Sequence, residues 1–213
     1  MRVFELVGPI MFGPSSSHTA GACRLSRAMW QILDCPMKKA ALGLHGSFRV
    51  HEGGTVNKAL VAGLLGFDTD DDRINNSHAL MEQSGIDFSW ENVTLENAHN
   101  NSVRYEIEGD GFSFSAIGAS VGGGMIEVSE INGIKLSLTG DYNTLLVFAE
   151  DLEKAEKAFS SLGLEGGEVE CHPGKAGGGI ILYKTSLPLE PELCQKLESR
   201  EGVGHASRHL RFD

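Results

Sequence analysis

Apolar and polar positions along the chain alternate with two different periods, and these periods predict where helices and strands lie. Apolar residues recur every three or four positions over residues 20–33, which predicts an amphipathic helix. Strict alternation over residues 102–108, 111–116 and 125–131 predicts strands, and the first two should form a hairpin. The same patterns predict further strands at 3–12, 39–50 and 93–98, a helix at 58–65, and a short helix or loop at 76–85.

The chain after residue 133 shows one complete order of elements. Four strands, at 136–148, 167–172, 179–185 and 205–211, alternate with two helices, at 152–162 and 191–201. Their order, β-α-β-β-α-β, is typical of ferredoxin-like domains. We therefore predict an α+β chain with two domains, residues 1–133 and residues 134–213, divided at the Asn132-Gly133 turn.

Composition and charge narrow the class of function. The 213 residues are 41% hydrophobic and 22% charged, which is typical of a globular protein. The net charge of −11 argues against binding to nucleic acid or to anionic membranes. No apolar run approaches the roughly 20 residues of a membrane span, and the N-terminus lacks the features of a signal peptide. We therefore expect a cytoplasmic protein.

The cysteines are too scattered to predict a metal site. They are Cys23, Cys35, Cys171 and Cys194. None belongs to the C-x-x-C pairs from which zinc sites and many iron–sulfur sites are built. We interpret them as small core residues, and we expect any metal cofactor to require a second chain.

The chemistry of the chain is concentrated in the segment GPSSSHTAG at residues 13–21. It lies between a predicted strand and a predicted helix, so its hydroxyls and imidazole join the free N–H groups and the positive dipole end of a helix N-terminus. Such a place binds phosphate or carboxylate. Since one serine is enough to cap the helix, the other hydroxyls and the histidine indicate a ligand site.

This segment resembles a motif of the β chain, or β domain, of the bacterial iron–sulfur-dependent L-serine dehydratases. Three further stretches resemble that family in the same order: GSF at 46–48 with GLLGFD at 63–68, HNNSVR at 99–104, and GASVGGG at 118–124 with ING at 131–133. The rest of the chain is similar to an ACT domain. The resemblance implies a mixed-sheet β domain of serine dehydratase type, followed by a ferredoxin-like, ACT-type domain.

The resemblance also implies a reaction, a cofactor and partners. In this family an α chain and a β chain dehydrate L-serine to pyruvate and ammonia. Cysteines of the α chain hold a [4Fe–4S] cluster, which acts as a Lewis acid on the substrate hydroxyl. For this chain, the resemblance implies a cluster held by the partner α chain, a small amino acid as substrate, and self-association through the ACT-like domain.

The residues of the site follow from the same resemblance. The expected substrate-binding residues are Ser15, Ser16, Ser17, His18, Thr19, His99 and Asn101. The expected catalytic residues are His18 and His51. Family members carry K-G-H-G-T-D after the GSF element, and its histidine is the expected base. Residues 51–57 read HEGGTVN, without the lysine, histidine and aspartate of that motif, and His51 is the candidate replacement.

Two other functions remain open at this point. One is a non-catalytic subunit that binds an amino acid or another carboxylate and regulates a partner, because the anion-binding turn is present without the usual base. The other is a lyase that acts on a different small amino acid. A neighbouring reading frame of α type with cluster cysteines would favour an enzyme, and its absence would favour the regulatory subunit.

Overall fold

Five α-helices and ten β-strands make up the part of the chain that the computed structural model describes, residues 11, 15–49, 54–209 and 211. The helices are α1 Gly21–Leu33, α2 Thr55–Leu64, α3 Ser77–Ser84, α4 Leu152–Ser160 and α5 Glu192–Glu198. The strands are β1 Met37–Leu44, β2 Asp87–Asn92, β3 Ser102–Gly109, β4 Ser113–Gly122, β5 Met125–Ile131, β6 Ile134–Thr139, β7 Asn143–Ala149, β8 Gly167–Pro173, β9 Gly179–Thr185 and β10 Val203–His209. None of the described helices combines the length and apolarity needed to cross a membrane.

The first sheet is mixed and has six strands in the order β2-β1-β3-β4-β5-β6. β1 and β2 are parallel, and the other neighbouring strands are antiparallel. α1 packs against β3, β4 and β5, and α2 packs against α1. The apolar face of α1 is fully buried in this core through Leu25, Met29 and Ile32. The α+β class with a mixed sheet is therefore confirmed.

The second sheet is antiparallel, with four strands in the order β10-β7-β9-β8. Its elements follow the predicted order β-α-β-β-α-β along the chain. Because neighbouring residues of a strand point to opposite faces, β7 contributes to two cores. Leu145 and Val147 pack with α4 and α5, whereas Leu146 and Phe148 join the core of the first sheet.

The last turn of α1 is attached to the second sheet by hydrogen bonds from β10. Nε2 of His205 lies 3.3 Å from the carbonyl oxygen of Ile32. Nδ1 of His209 lies 2.7 Å from Oε1 of Gln31, and both side chains are buried. The second sheet is thereby fixed to the C-terminal end of α1. The N-terminal end of the same helix follows residues 15–20, here called the serine-rich turn.

Two strands of the first sheet differ from their predictions. β1 ends at Leu44 and does not continue to residue 50, because a short 3₁₀ turn, Gly46–Phe48, begins there. The strand predicted at 93–98 is wrong. The strand lies just before it, as β2, in which half-buried Phe88 and Trp90 alternate with exposed polar residues.

The strand predicted at 136–148 is two strands. β6 ends at Thr139 and β7 begins at Asn143, because the chain turns between them. β6 pairs with β5 and so completes the first sheet, whereas β7 opens the second sheet. The division into domains at residue 133 stays a prediction. The strand predicted at 3–12 lies outside the described residues except for its residue 11.

Candidate functional site

Ser15 caps the turn that precedes α1. Its Oγ accepts a hydrogen bond from the backbone N–H of His18 at 3.1 Å, and its carbonyl accepts one from the N–H of Thr19 at 2.9 Å. The backbone of Ser15 is extended, as is usual at an N-cap. One of the serines thus has the capping role that sequence reasoning allowed for. Contact between Ser15 and a substrate stays a prediction.

The turn that follows, Ser16–Ala20, is π-helical. The N–H of Gly21 bonds to the carbonyl of Ser16, five residues before it. Single π-helical turns of this kind occur frequently at functional sites. Ser16 is half-buried, and within the described residues its hydroxyl forms no hydrogen bond.

The imidazole of His18 lies between two hydroxyl groups. Its Nδ1 is 2.9 Å from Oγ of Ser17, and its Nε2 is 3.0 Å from Oγ of Ser47. The ring also packs edge-on against Phe48, with centroids 5.4 Å apart and planes at 76°. These contacts fix the ring, and both of its nitrogens face groups that can either donate or accept a proton.

A sharp turn brings Ser47 to His18. Gly46, just before it, has a φ of +61°, and a Cβ there would lie 2.1 Å from the carbonyl oxygen of Asn100. Only glycine tolerates both the left-handed backbone and this close approach. The N–H of Ser47 donates to that same carbonyl at 2.8 Å, so the turn is held against the loop before β3.

Asn101 connects the turn to β4. The hydroxyl of Ser47 donates to Oδ1 of Asn101, and Nδ2 of Asn101 donates to the backbone carbonyl of Ser120 at 3.4 Å. The backbone of Asn101 also accepts from the N–H of Ser120 at 3.0 Å. The structure therefore brings the predicted residues His18 and Asn101 into one hydrogen-bonded chain, although 83 positions separate them in the sequence.

His99 shapes the loop that carries Asn101. Its Nδ1 accepts a hydrogen bond from the backbone N–H of Asn101 at 3.1 Å. Its carbonyl accepts one from the hydroxyl of Ser102 at 2.7 Å. These contacts give His99 a role in the loop, and its predicted contact with substrate stays a prediction.

Two buried hydroxyls near the turn have no hydrogen-bond partner among the described residues. They belong to Thr19, which is 2% exposed, and Ser120, which is 0% exposed. Oγ of Ser120 lies so close to α1 that a Cβ on Gly21 would be 2.0 Å from it. Because buried polar groups are normally hydrogen-bonded, these hydroxyls are donors that the described residues leave unused.

The C-terminal end of α2 packs against the N-terminal half of α1. A Cβ on Gly63 of α2 would be 2.2 Å from the carbonyl oxygen of Cys23 of α1, and one on Gly66, just after α2, would be 2.9 Å from the ring of Trp30. The π-helical turn contacts α2 as well. The positive dipole end of the helical segment that begins at Ser16 and continues into α1 favours an anion at the turn.

His51, the predicted catalytic base, lies outside the described residues. The described chain resumes at Gly54, and α2 begins at Thr55. The catalytic role of His51 stays a prediction.

The cysteines do not fit an iron–sulfur cluster bound by this chain. In the described part of the chain, no group of three or more His, Cys, Asp and Glu side chains could hold a metal ion. Burial raises the pKa of Cys23 to about 12 and the pKa of Cys194 to about 11. Burial therefore keeps both groups as protonated thiols in the core.

The curated relatives of this chain are named as beta chains of L-serine dehydratase. The chain is 42% identical to the "L-serine dehydratase, beta chain" of Peptoniphilus asaccharolyticus over 201 residues, which cover 92% of this chain and 90% of that protein. It is 36% identical to the "Probable L-serine dehydratase, beta chain" of Bacillus subtilis (strain 168) over 150 residues, which cover 70% and 68%. The chain belongs to the L-serine dehydratase beta-chain family.

Family membership confirms the resemblance that the motifs carry. A third relative, the "L-serine dehydratase, beta chain" of Anaerotignum propionicum, is 56% identical over 27 residues, which are 13% of this chain and 93% of that sequence. No protein-family model matches the chain. The words "beta chain" in these names imply that the relatives are subunits of enzymes with more than one chain.

Sequence reasoning missed the part that Ser47 takes in the site. The GSF segment at 46–48 was a family resemblance, but its serine was not among the predicted site residues. A signal was present, because a glycine before a short polar segment often marks a turn with positive φ. The partner of that serine could not be read locally, since His18 lies 29 residues away in the sequence.

Proposed function

We propose that this chain is the β subunit of an iron–sulfur-dependent L-serine ammonia-lyase, which dehydrates L-serine to pyruvate and ammonia. An α chain carries the [4Fe–4S] cluster, which supplies Lewis acidity at the leaving hydroxyl. One observation carries the proposal: His18 is held between the hydroxyls of Ser17 and Ser47 in the turn that precedes α1. The 42% identity to an L-serine dehydratase beta chain supports it.

The serine-rich turn binds the substrate carboxylate in this proposal. The free N–H groups and the positive dipole end at the start of the helical segment that leads into α1 attract a carboxylate. The unused hydroxyl of Ser16 can donate to it, and hydrogen bonds to an ionised acceptor are stronger than neutral ones. The other two alternatives, a regulatory subunit and a lyase for another amino acid, would use the same anion site.

The proton on Cα of serine must be removed by a group within hydrogen-bond reach. The candidates on this chain are His18 and His51. Removal of that proton and loss of the hydroxyl as water leave 2-aminoacrylate. This product tautomerises to an imine, and water then hydrolyses the imine to pyruvate and ammonia.

Anaerobic co-expression with an α chain tests the proposal directly. We expect a complex that releases pyruvate and ammonia from L-serine, and no such activity from the β chain alone. His51→Ala should lower kcat by about 10²- to 10⁴-fold, which is the usual contribution of a general base. The matched control is His172→Ala, whose ring lies in the second sheet, 3.2 Å from Glu170.

Each alternative has its own outcome in this experiment. A complex that binds the cluster but makes no pyruvate would contradict serine dehydration and favour the regulatory subunit or another substrate. Absence of any complex would contradict the enzyme subunit. Activity in the β chain alone would contradict the division of labour between the chains.

We also propose that the chain self-associates through its ACT-like part. β8 pairs only with β9 among the described strands, so one edge of β8 offers backbone groups to a second copy. Sedimentation of the full-length chain should give a dimer. A monomer at all accessible concentrations would contradict this part of the proposal.

A further inference from the structure

The amide of Asn101 has one orientation that satisfies both of its neighbours. The atom 3.4 Å from the backbone carbonyl of Ser120 must be the nitrogen, because a carbonyl oxygen only accepts hydrogen bonds. Oδ1 of Asn101 then faces Oγ of Ser47. The contact with the backbone of β4 thus distinguishes Nδ2 from Oδ1 of Asn101. Without such a partner, heavy-atom positions do not distinguish the nitrogen and oxygen of an asparagine amide.

This orientation decides the direction of the next two hydrogen bonds. A serine hydroxyl has a single proton, and in Ser47 that proton is donated to Oδ1 of Asn101. Oγ of Ser47 must therefore accept from Nε2 of His18, which lies 3.0 Å away. Neutral His18 carries its proton on Nε2, and the lone pair of Nδ1 accepts the hydroxyl proton of Ser17 at 2.9 Å.

We propose that Ser47 and Asn101 are positioning residues that hold neutral His18 in the Nε2–H tautomer. Nδ1 is then the basic atom of the ring, and it is joined to the hydroxyl of Ser17. Oγ of Ser17 can accept a proton as its own hydroxyl proton moves to Nδ1, with no change of ring position. The carbonyl of Ser120 is the fixed end of a series of hydrogen bonds that links β4 to the serine-rich turn. The series runs through Asn101, Ser47 and His18 to Ser17.

Two further contacts keep the series in place. The N–H of Ser47 donates to the carbonyl of Asn100 at 2.8 Å, and the ring of His18 packs edge-on against Phe48. The imidazole is therefore unable to turn over without breaking both of its hydroxyl bonds. The effect on the reaction rate rests on the proposed function, whereas the tautomer itself does not.

Nuclear magnetic resonance of the full-length chain, labelled with ¹⁵N-histidine, reads the tautomer without turnover. Spectra are recorded at alkaline pH, at which imidazole side chains are neutral. The signals of His18 are assigned by their loss in His18→Gln. We expect a proton on Nε2 alone in the unaltered chain, and a mixture of both tautomers in Asn101→Ala.

The chain offers a matched control at the preceding residue, Asn100. Asn100→Ala removes an exposed side chain of the same type but keeps the backbone carbonyl that holds Ser47. We expect this variant to keep the Nε2–H tautomer. If Asn101→Ala fails to fold, as judged by circular dichroism, Ser47→Ala removes the same acceptor from Nε2 and should give the same mixture.

A proton on Nδ1 in the unaltered chain would overturn the inference. So would an unchanged tautomer in a folded Asn101→Ala or Ser47→Ala chain, or a mixture in Asn100→Ala. In the complex with the α chain, Asn101→Ala should lower kcat by about 10- to 100-fold with a smaller change in KM, as loss of a group that orients a reacting side chain commonly does. An Nε2–H tautomer in a chain that supports no serine dehydration would contradict the proposed function and leave this inference intact.

Discussion

The two ends of α1 each meet a histidine, and the two histidines have different surroundings. At the C-terminal end, the buried ring of His209 lies 2.7 Å from the amide oxygen of Gln31. Desolvation by burial lowers the pKa of His209 to about 4. At the N-terminal end, half-buried His18 lies between two hydroxyls, of Ser17 and Ser47.

This difference separates a structural histidine from a candidate catalytic one. An amide oxygen can only accept, so Nδ1 of His209 donates to a fixed partner, and burial between the sheets favours the neutral ring by lowering its pKa. Hydroxyls can donate and accept, so the neighbours of His18 can follow a change in its protonation. The comparison predicts activity effects at one end of α1 and stability effects at the other.

The largest expected effect is at the N-terminal end. His18→Gln in the complex with the α chain should lower kcat/KM for L-serine by about 10²- to 10⁴-fold, the usual contribution of a positioned acid or base. The free energy of unfolding should change little, because Gln keeps two polar ends for the hydroxyls. Steady-state assays and urea unfolding measure the two quantities. An unchanged kcat/KM in His18→Gln would contradict a catalytic role for His18.

At the C-terminal end we expect a pH effect on stability. The unfolded chain binds a proton at His209 below about pH 6.5, whereas the folded chain binds it only near the lowered pKa of about 4. Stability therefore falls as the pH drops from about 6.5 to 4, by about 3 kcal/mol from this group. Urea unfolding across this range should show that loss, and His209→Gln should lose less. Equal losses in both chains would contradict a buried, neutral His209.

The smallest of the three effects concerns the start of α1. In Gly21→Ala, the new Cβ would lie 2.0 Å from Oγ and 2.8 Å from Cβ of Ser120. Overpacking of this kind costs about 1–3 kcal/mol of the free energy of unfolding. Ser120→Gly in the same chain removes both atoms and should restore part of the loss in thermal or urea unfolding. Full stability of Gly21→Ala would show that β4 can move away from the turn.

Local patterns predicted the regular elements well. The 3.6-residue period gave α1, and the two-residue alternation gave β5 with its observed bounds. The element order of the second sheet was predicted too, because helices and strands there alternate with clear turns. β2 was misplaced, because its pairing with β1 is parallel and depends on a partner about fifty residues away.

Of the candidate site, only the serine-rich turn with His18 was predictable from local sequence. The serine-rich turn could be placed before a helix from the sequence alone, and with it His18. The contact of His18 with Ser47, and of Ser47 with Asn101, depends on how β1, β3 and β4 lie next to one another. Such distant pairings leave no local periodicity, so the hydrogen-bonded series needed the fold.

The most direct test of the substrate site is the KM for L-serine of the α–β complex with Ser16→Ala. We expect KM to rise about 10- to 100-fold, because a hydrogen bond to a carboxylate contributes about 1.5–3 kcal/mol. The melting temperature should stay the same, since the hydroxyl of Ser16 has no hydrogen bond among the described residues. Ser199→Ala, on the exposed end of α5, is the control. An unchanged KM in Ser16→Ala would contradict carboxylate binding by the serine-rich turn.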